Sequence, residues 1–248
     1  MKTVSNVCYS EKTGQCLDIY LPEREEFSVL VYFHGGGFEK GDKTADKYFF
    51  EYMAAQGLAV ASANYRMYPA AKYPDFLDDA AEAVAWAFKN LGNYGKIKGI
   101  YVGGSSAGGF LSQMLCFDKT WLAKYGIRVM DVAGFIHNAG QPTCHFNVLR
   151  ERGIDKRRVM IDETAPLYHV GEDEEYPPML ILVSDNDIKC RYEQTMLLIS
   201  VLKRFGHTEN VKFKLLNGKH CAHVYAEDQN DENAFGRCAL DFIKEIDA

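Results

Sequence analysis

Ser106 stands at the centre of a pattern that is typical of a nucleophilic serine. Residues 104–108 read Gly-Ser-Ser-Ala-Gly and fit G-x-S-x-G, with the apolar run KGIYVGG ending in the motif and a helical pattern after it. In this motif the serine lies on a sharp turn between a strand and a helix, which exposes its hydroxyl above the sheet. The two glycines leave room for neighbouring backbone. Ser105 is the alternative, but its own frame has Ala107 in place of the second glycine.

A glycine-rich loop upstream could stabilise the charge that such a serine creates. The run SVLVYF leads into His34 and then into three consecutive glycines at 35–37. Acyl transfer develops negative charge on the substrate oxygen, and backbone N–H groups must approach it closely. We therefore predict an oxyanion hole from the amides of Gly36, Gly37 and Ala107, with His34 bracing the loop. A phosphate-binding loop is the alternative, but neither G-x-G-x-x-G nor GK[ST] follows.

A catalytic serine also needs an acid and a base, which in this motif follow it in that order along the chain. The run MLILV ends in a segment with two carboxylates, Asp185 and Asp187, either of which could orient an imidazole. The run VKFKLL leads into a loop with two histidines, His220 and His223, and His220 lies closer to the strand end. A general base in this loop could reach Ser106.

The elements that must position these residues alternate between strands and helices. Several apolar runs, such as VLVYF and MLILV, are typical of strands buried on both faces. No helix separates the first two or three strands, so we expect these to pair antiparallel and the later ones to be parallel. This predicts a three-layer α/β fold with a mostly parallel eight-stranded sheet and helices on both faces. Strands are predicted over 3–9, 16–21, 28–34, 58–64, 99–103, 132–137, 179–184 and 211–216, and helices over 44–56, 75–91, 107–117, 191–205 and 233–246.

Residues 138–177 interrupt this alternation. The segment has clusters of charged residues and few strand signals. We interpret it as a short lid insertion over the carboxyl ends of the strands. No repeat, low-complexity tract or linker divides the chain, so we expect one domain over residues 1–248.

Composition and charge exclude several classes of function. The 248 residues are 47% hydrophobic and 25% charged, with a net charge of -6 and no basic block, which disfavours nucleic acid and anionic membranes as partners. No stretch is long enough to cross a bilayer. The seven cysteines and the histidines lack ligand spacing, so we expect no metal and no cofactor. The N-terminus lacks the apolar run of a signal peptide, and we expect a cytoplasmic protein with reduced thiols.

Three segments resemble the hormone-sensitive-lipase-like (HGGG) esterases of the α/β-hydrolase superfamily. They are HGGGF, NYRMYPAAKYPDFLDDAAEAVAWA and GGSSAGG, and the resemblance covers the chain from about residue 16 to its end. The family typically has HGGG(F/W), a YR-x-x-P-x-x-x-(F/Y)-P stretch leading into a helix, and GDSAGG. The resemblance implies the α/β-hydrolase fold and ester hydrolysis. Its acid and histidine patterns favour Asp187 over Asp185 and His220 over His223.

Two features depart from that family pattern. Ser105 stands where the family usually has Asp, so an interaction beside the nucleophile is expected to differ. The predicted strands begin almost at Met1, so we expect no counterpart of the family's long N-terminal cap. We therefore expect residues 138–177 to be the main lid, over a relatively open site.

These residues together predict a serine hydrolase that cleaves carboxylic esters, with short acyl chains, through an acyl-enzyme on Ser106. A small-molecule ester would be its partner, and an exposed final strand could pair two copies into a homodimer. An arylformamidase or other amidase with the same triad is a first alternative. A catalytically inactive binding protein on the same fold is a second.

Overall fold

One eight-stranded sheet forms the centre of the protein. The structure, a computed structural model, describes residues 1–171, 174–225 and 233–248. All eight predicted strands are present within this part of the chain, in the spatial order β1-β2-β4-β3-β5-β6-β7-β8. Their bounds are β1 Lys2–Ser10, β2 Gln15–Leu21, β3 Glu26–Phe33, β4 Ala59–Ala63, β5 Lys96–Ser105, β6 Gly134–Asn138, β7 Met179–Asn186 and β8 Val211–Lys219.

The pairing of the early strands corrects one expectation from the sequence. Strands β1 and β2 do pair antiparallel, and Cys8 lies directly opposite Cys16, both as free thiols. However, β3 does not pair with β2. It lies between β4 and β5, parallel to both, while β2 pairs antiparallel with β4. The seven residues of β3 from Phe27 to Phe33 are all buried, which a central position with a neighbour on each edge provides.

Helices cover both faces of the sheet, as predicted. Helices α1 (Lys47–Ala55) and α7 (Ala234–Ile246) pack on one face through apolar residues such as Phe49 and Phe242. Helices α2 (Asp75–Asn90), α3 (Ala107–Phe117) and α6 (Arg191–Arg204) pack on the other. The apolar residues of α2 at helical spacing are buried at positions 76, 80, 83, 84 and 87, and the sixth, Phe88, is half-buried. The described residues also form two short α-helices, α4 (Thr120–Ala123) and α5 (Phe146–Glu151).

The segment 138–177 contains α5 and a 3-10 helix over Pro166–His169, and its residues 172–173 lie outside the described part. Three of its buried residues, Cys144, Leu149 and Ala165, form a small apolar cluster apart from the two that cover the sheet. The segment therefore has a core of its own. Its role as a lid stays a prediction.

Parallel strands bring their carboxyl ends to one edge of a sheet, and that edge is where α/β proteins bind ligands. Strand β3 ends before His34, β5 ends at Ser105, β7 leads to Asp187 and β8 leads to His220. The topology thus gathers four separate motifs at one place. Across the described ranges, no helix is both long and apolar enough to pass through a bilayer. Nor do those ranges group three or more His, Cys, Asp or Glu side chains in a way that could hold a metal ion.

Candidate active site

The turn between β5 and α3 holds Ser106 in a strained backbone conformation. Its φ of 56° and ψ of -110° lie in a region that non-glycine residues rarely adopt. The turn brings the backbone very close to its neighbours. A Cβ on Gly108 would lie 1.9 Å from the carbonyl oxygen of Phe33, and one on Gly104 would lie 2.5 Å from the backbone of Gly108. Glycine is therefore required at both positions of the motif, as the sequence predicts.

Ser106, His220 and Asp187 form a continuous chain of hydrogen bonds. Ser106 Oγ lies 2.8 Å from His220 Nε2, and His220 Nδ1 lies 2.5 Å from Asp187 Oδ1. In the neutral imidazole, Nδ1–H then donates to the carboxylate and Nε2 accepts from the serine hydroxyl. This is the arrangement in which an imidazole can remove the serine proton.

The Asp187 carboxylate is held in a fixed position and in its ionised form. Its side chain is 1% exposed, and its Oδ1 also accepts a hydrogen bond from the amide of Ile188 at 2.8 Å. Burial alone would raise the pKa of Asp187, but the hydrogen bond and charge of His220 outweigh it and lower that pKa. Asp185, the alternative acid, is exposed and accepts from the amide of Gly218 at 2.8 Å. The structure therefore places Asp187, and not Asp185, against the imidazole.

His223 occupies a different environment from His220, although only two residues separate them. It is buried, and its Nε2 lies 2.7 Å from Asn138 Oδ1. Ser184 Oγ lies 3.3 Å from the other ring nitrogen. Burial lowers the pKa of His223 to about 4, so this imidazole is neutral at physiological pH. Its contacts connect β6 and β7 beneath the site, which is a structural role.

A buried polar network lies beneath Ser106 and explains the unusual Ser105. Asn138 Nδ2 donates to Ser105 Oγ at 2.7 Å, and the Tyr32 hydroxyl lies 2.7 Å from that Oγ and 2.9 Å from Asp46 Oδ2. The single Tyr32 proton satisfies the network if it is donated to the Asp46 carboxylate, while Ser105 donates to the Tyr32 oxygen. The backbone carbonyl of Asn138 also accepts from the Ser106 amide at 2.8 Å. The network therefore ties the turn to β3 and β6.

Sequence analysis identified only Ser105 from this network. Tyr32, Asp46 and Asn138 lie on three other parts of the chain, and no motif includes them. The departure from GDSAGG is the one signal in the sequence. It shows that a carboxylate is missing at position 105, and the structure shows Asp46 reaching Ser105 through Tyr32.

The glycine loop after β3 closes over the same turn. A Cβ on Gly35 would lie 3.3 Å from the Ser106 Cβ, so the two segments are in close contact. Gly36, Gly37, Ser106 and His220 line one cavity of about 550 Å³. Ala107 does not line it, but is buried directly behind Ser106 as the first residue of α3. Within the described residues, no acceptor receives a hydrogen bond from the amides of Gly36, Gly37 or Ala107, which suits all three for the predicted oxyanion hole.

Side chains from two directions hold this loop in place. The His34 ring stacks on Tyr65 at a centroid distance of 4.4 Å, and the Tyr65 hydroxyl donates to the His34 carbonyl at 2.8 Å. Burial lowers the pKa of His34, so its ring is neutral. Asn147 from α5 donates to the Gly37 carbonyl at 2.6 Å. The loop is therefore braced by His34, as predicted, and also by the 138–177 segment.

Comparison of the sequence with known proteins shows similarity to esterases and lipases. The BD-FAE family model matches residues 17–125. Esterase LipC of Mycobacterium tuberculosis is 32% identical over 227 residues, which cover 82% of this chain and 56% of LipC. Human hormone-sensitive lipase is 35% identical over 109 residues, or 42% of this chain and 10% of the lipase. The chain thus spans between a tenth and just over half of these relatives' length.

Solved structures show the same fold. Esterase B from Lactobacillus rhamnosis, in a structure with a tributyrin phosphonate, has a TM-score of 0.81 at 19% sequence identity, covering 99% of this chain and 86% of that one. The esterase of Pyrobaculum calidifontis has a TM-score of 0.78 at 19% identity, covering 100% and 86%. The fold and the resemblance predicted from the sequence are confirmed. The chain has the α/β-hydrolase fold, its residues 17–125 match the BD-FAE family model, and parts of it are homologous to hormone-sensitive lipase and to the mycobacterial esterase LipC.

Proposed function

We propose that this protein is a serine hydrolase that cleaves carboxylic esters through an acyl-enzyme on Ser106. One observation supports the proposal most strongly: the hydrogen-bonded chain from Ser106 through His220 to Asp187 opens onto a cavity lined by a glycine loop. The relatives named as esterases or lipases, and the phosphonate found with Esterase B, support the same reaction class.

The reaction would proceed in two steps. His220 Nε2 removes the Ser106 proton as the oxygen attacks the ester carbonyl, and Asp187 stabilises the imidazolium that results. The amides of Gly36, Gly37 and Ala107 would stabilise the oxyanion. The imidazolium then protonates the leaving alcohol, and water releases the acid from Ser106 by the same route in reverse.

A small ester is the substrate class that we propose. The cavity of about 550 Å³ falls within the usual range of small-molecule sites. Residues 138–177 would be its lid. Phe146 at the start of α5 lines the cavity, and a Cβ on Gly37 would lie 3.0 Å from the Phe146 ring. The lid would then limit acyl length, and we propose short acyl chains on this basis.

A fluorophosphonate probe and an ester panel test the proposal. Both use the wild type, Ser106→Ala and, as matched control, Ser200→Ala, which removes an exposed hydroxyl on α6. We expect the probe to modify the wild type and the control but not Ser106→Ala. We also expect Ser106→Ala to lower kcat on 4-nitrophenyl acetate by about 10⁴-fold or more. Equal modification of Ser106→Ala, or a folded wild type inert to the probe and to every ester, would refute the proposal. Turnover of N-formylkynurenine well above that of every ester would favour the amidase instead.

A further inference from the structure

A second cavity lies next to the active-site cavity. Its volume is about 440 Å³, and it lies between residues 156–159 of the proposed lid, the loop after β7 and the start of α6. Phe146 and Ile188 line both cavities. A substrate with its ester group at Ser106 could therefore extend past these two side chains into the second cavity.

The walls of this second cavity are strongly basic. Its lining includes Lys156, Arg157, Arg158, Lys189 and Arg191, and no described carboxylate lines it. This composition contrasts with the net charge of -6 of the whole chain. The active-site cavity, in comparison, is lined by both acidic and basic residues.

Three of these five cations form no ion pair in the described part of the chain. Arg157 forms an ion pair with Asp155, which neutralises it. Within the described residues, no carboxylate oxygen lies within 4 Å of the charged nitrogens of Lys156, Arg158 or Lys189, and the Asp155 charge acts on Arg158 only from beyond that distance. These three exposed cations come from two separate segments of the chain and converge on one concave surface. Like charges brought together in a concavity repel each other, and an anion between them relieves that repulsion.

Arg191 adds a buried positive charge at the base of the same cavity. It is 3% exposed, and it donates to two neutral acceptors, the carbonyl of Ala139 and, at 3.2 Å, Gln141 Oε1. Burial lowers the pKa of Arg191 to about 10, partly opposed by the Asp187 charge, so the guanidinium remains charged at neutral pH. The Asp187 carboxylate offsets part of this charge, but the hydrogen-bond acceptors of Arg191 are neutral, so the guanidinium still contributes positive charge to the wall of the cavity.

We propose that this basic cavity binds an anionic group of the substrate, so that the preferred ester has a carboxylate or similar anion at a distance from its scissile carbonyl. Arginine and lysine recognise such groups through charge-assisted hydrogen bonds. The inference rests on the proposed function, because the anion is placed relative to an ester held at Ser106. It assigns to Arg158 and Lys189 a role in specificity and not in the chemical step.

Matched ester pairs test this inference. Mono-4-nitrophenyl adipate has its carboxylate on the acyl side, and methyl 4-nitrophenyl adipate is its neutral counterpart. The pair 4-acetoxybenzoate and methyl 4-acetoxybenzoate differs on the alcohol side. The rate for each ester is divided by its alkaline hydrolysis rate, which removes differences in intrinsic reactivity. The measured quantity is the ratio of kcat/KM for the charged over the neutral ester.

We expect this ratio to exceed about ten in one of the two pairs, and that pair identifies the side of the substrate that enters the basic cavity. The double variant Arg158→Gln/Lys189→Gln should lower the ratio about tenfold, mainly through KM. The matched control Lys203→Gln/Arg204→Gln removes two exposed charges from the far end of α6, about 18 Å from Arg191 along the helix, and should retain the ratio. Added salt should lower the ratio in the wild type more than in the double variant.

The outcomes separate the two proposals. Hydrolysis of neutral esters with ratios near one in both pairs would overturn the inference and leave the esterase proposal standing. An equal loss of the ratio in the double variant and in the control would also overturn it, because net charge would then explain the preference. An inert wild type would refute the proposed function itself.

Discussion

His220 and His223 show how the surroundings of a side chain decide what it can do. Both follow β8, and both are held by hydrogen bonds. His220 lies between a serine hydroxyl and a carboxylate, so each ring nitrogen faces a group that exchanges or stabilises a proton. His223 lies between Asn138 and Ser184, which hold a neutral ring in place. The first environment supports proton transfer, and the second supports packing.

Alanine substitutions at these two positions should therefore have different effects. We expect His220→Ala to lower kcat on 4-nitrophenyl acetate by about a thousandfold or more with little change in unfolding free energy, because it removes the base. His223→Ala should lower the unfolding free energy by about 2 kcal/mol, because a buried hydrogen-bonded ring is lost. Initial rates and urea unfolding of both variants measure this. Full activity in His220→Ala, with loss of activity in a folded His223→Ala, would show that the base is His223.

The sequence identified the residues of the candidate site that belong to local motifs. Ser106 and the glycines of 35–37 lie in short contiguous motifs, and the need for serine or glycine at these positions can be argued from the motif alone. Asp187 and His220 needed the family resemblance, because proximity to a strand end did not exclude Asp185 or His223. Tyr32 and Asp46 were missed, since their link to Ser105 depends on how β3, α1 and β5 pack. Long-range packing has no short signature in a sequence.

At the scale of elements, the strands were predicted well and their order was not. Apolar runs and glycine-rich turns are local signals, and every strand and long helix lies close to its predicted position. Neighbours in a sheet need not be neighbours in the chain, which is why β3 could not be placed between β4 and β5 from the early strands alone. The turn between β5 and α3 is an exception to this rule. Its glycines, Gly104 and Gly108, are a local sequence signal, and they are needed because the end of β3 lies so close to the turn.

This close approach gives a prediction about the turn. Gly108→Ala should lower the unfolding free energy by about 3 kcal/mol, because its methyl group would lie 1.9 Å from the Phe33 carbonyl oxygen and must displace backbone. Gly92→Ala is the matched control, since no atom lies within 4 Å of the added methyl group. It should change stability by less than about 1 kcal/mol. Urea unfolding of both variants measures the difference, and equal stabilities would mean that the turn is not tightly packed against β3.

At the scale of the whole molecule, the two edge strands of the sheet differ from the central ones because each has a neighbouring strand on one side only. Strands β1 and β8 are the outer strands of the described sheet. Strand β8 itself contains lysines at 212, 214 and 219, and charged side chains on an outer strand disfavour pairing with another copy. Pairing of two copies through β8 would also bring the lysines of one copy close to those of the other. The homodimer therefore stays a prediction, and if it forms we expect a surface other than β8 to mediate it, which cross-linking of the purified protein would locate.

Buried neutral histidines should make the folded protein sensitive to acid. Burial lowers the pKa of His137 to about 3 and that of His223 to about 4, whereas an unfolded histidine has a pKa near 6.5. At pH values between these limits the unfolded chain binds protons that the folded protein does not, so stability rises with pH across this window. For these two groups together we expect a contribution that makes the unfolding free energy about 4 kcal/mol lower at pH 5 than at pH 7. The variant His223→Gln removes one of these proton-binding groups and should reduce the measured difference by about 2 kcal/mol, whatever its stability at pH 7. Urea unfolding at both pH values measures this, and an unchanged difference in His223→Gln would show that His223 is not buried as a neutral ring.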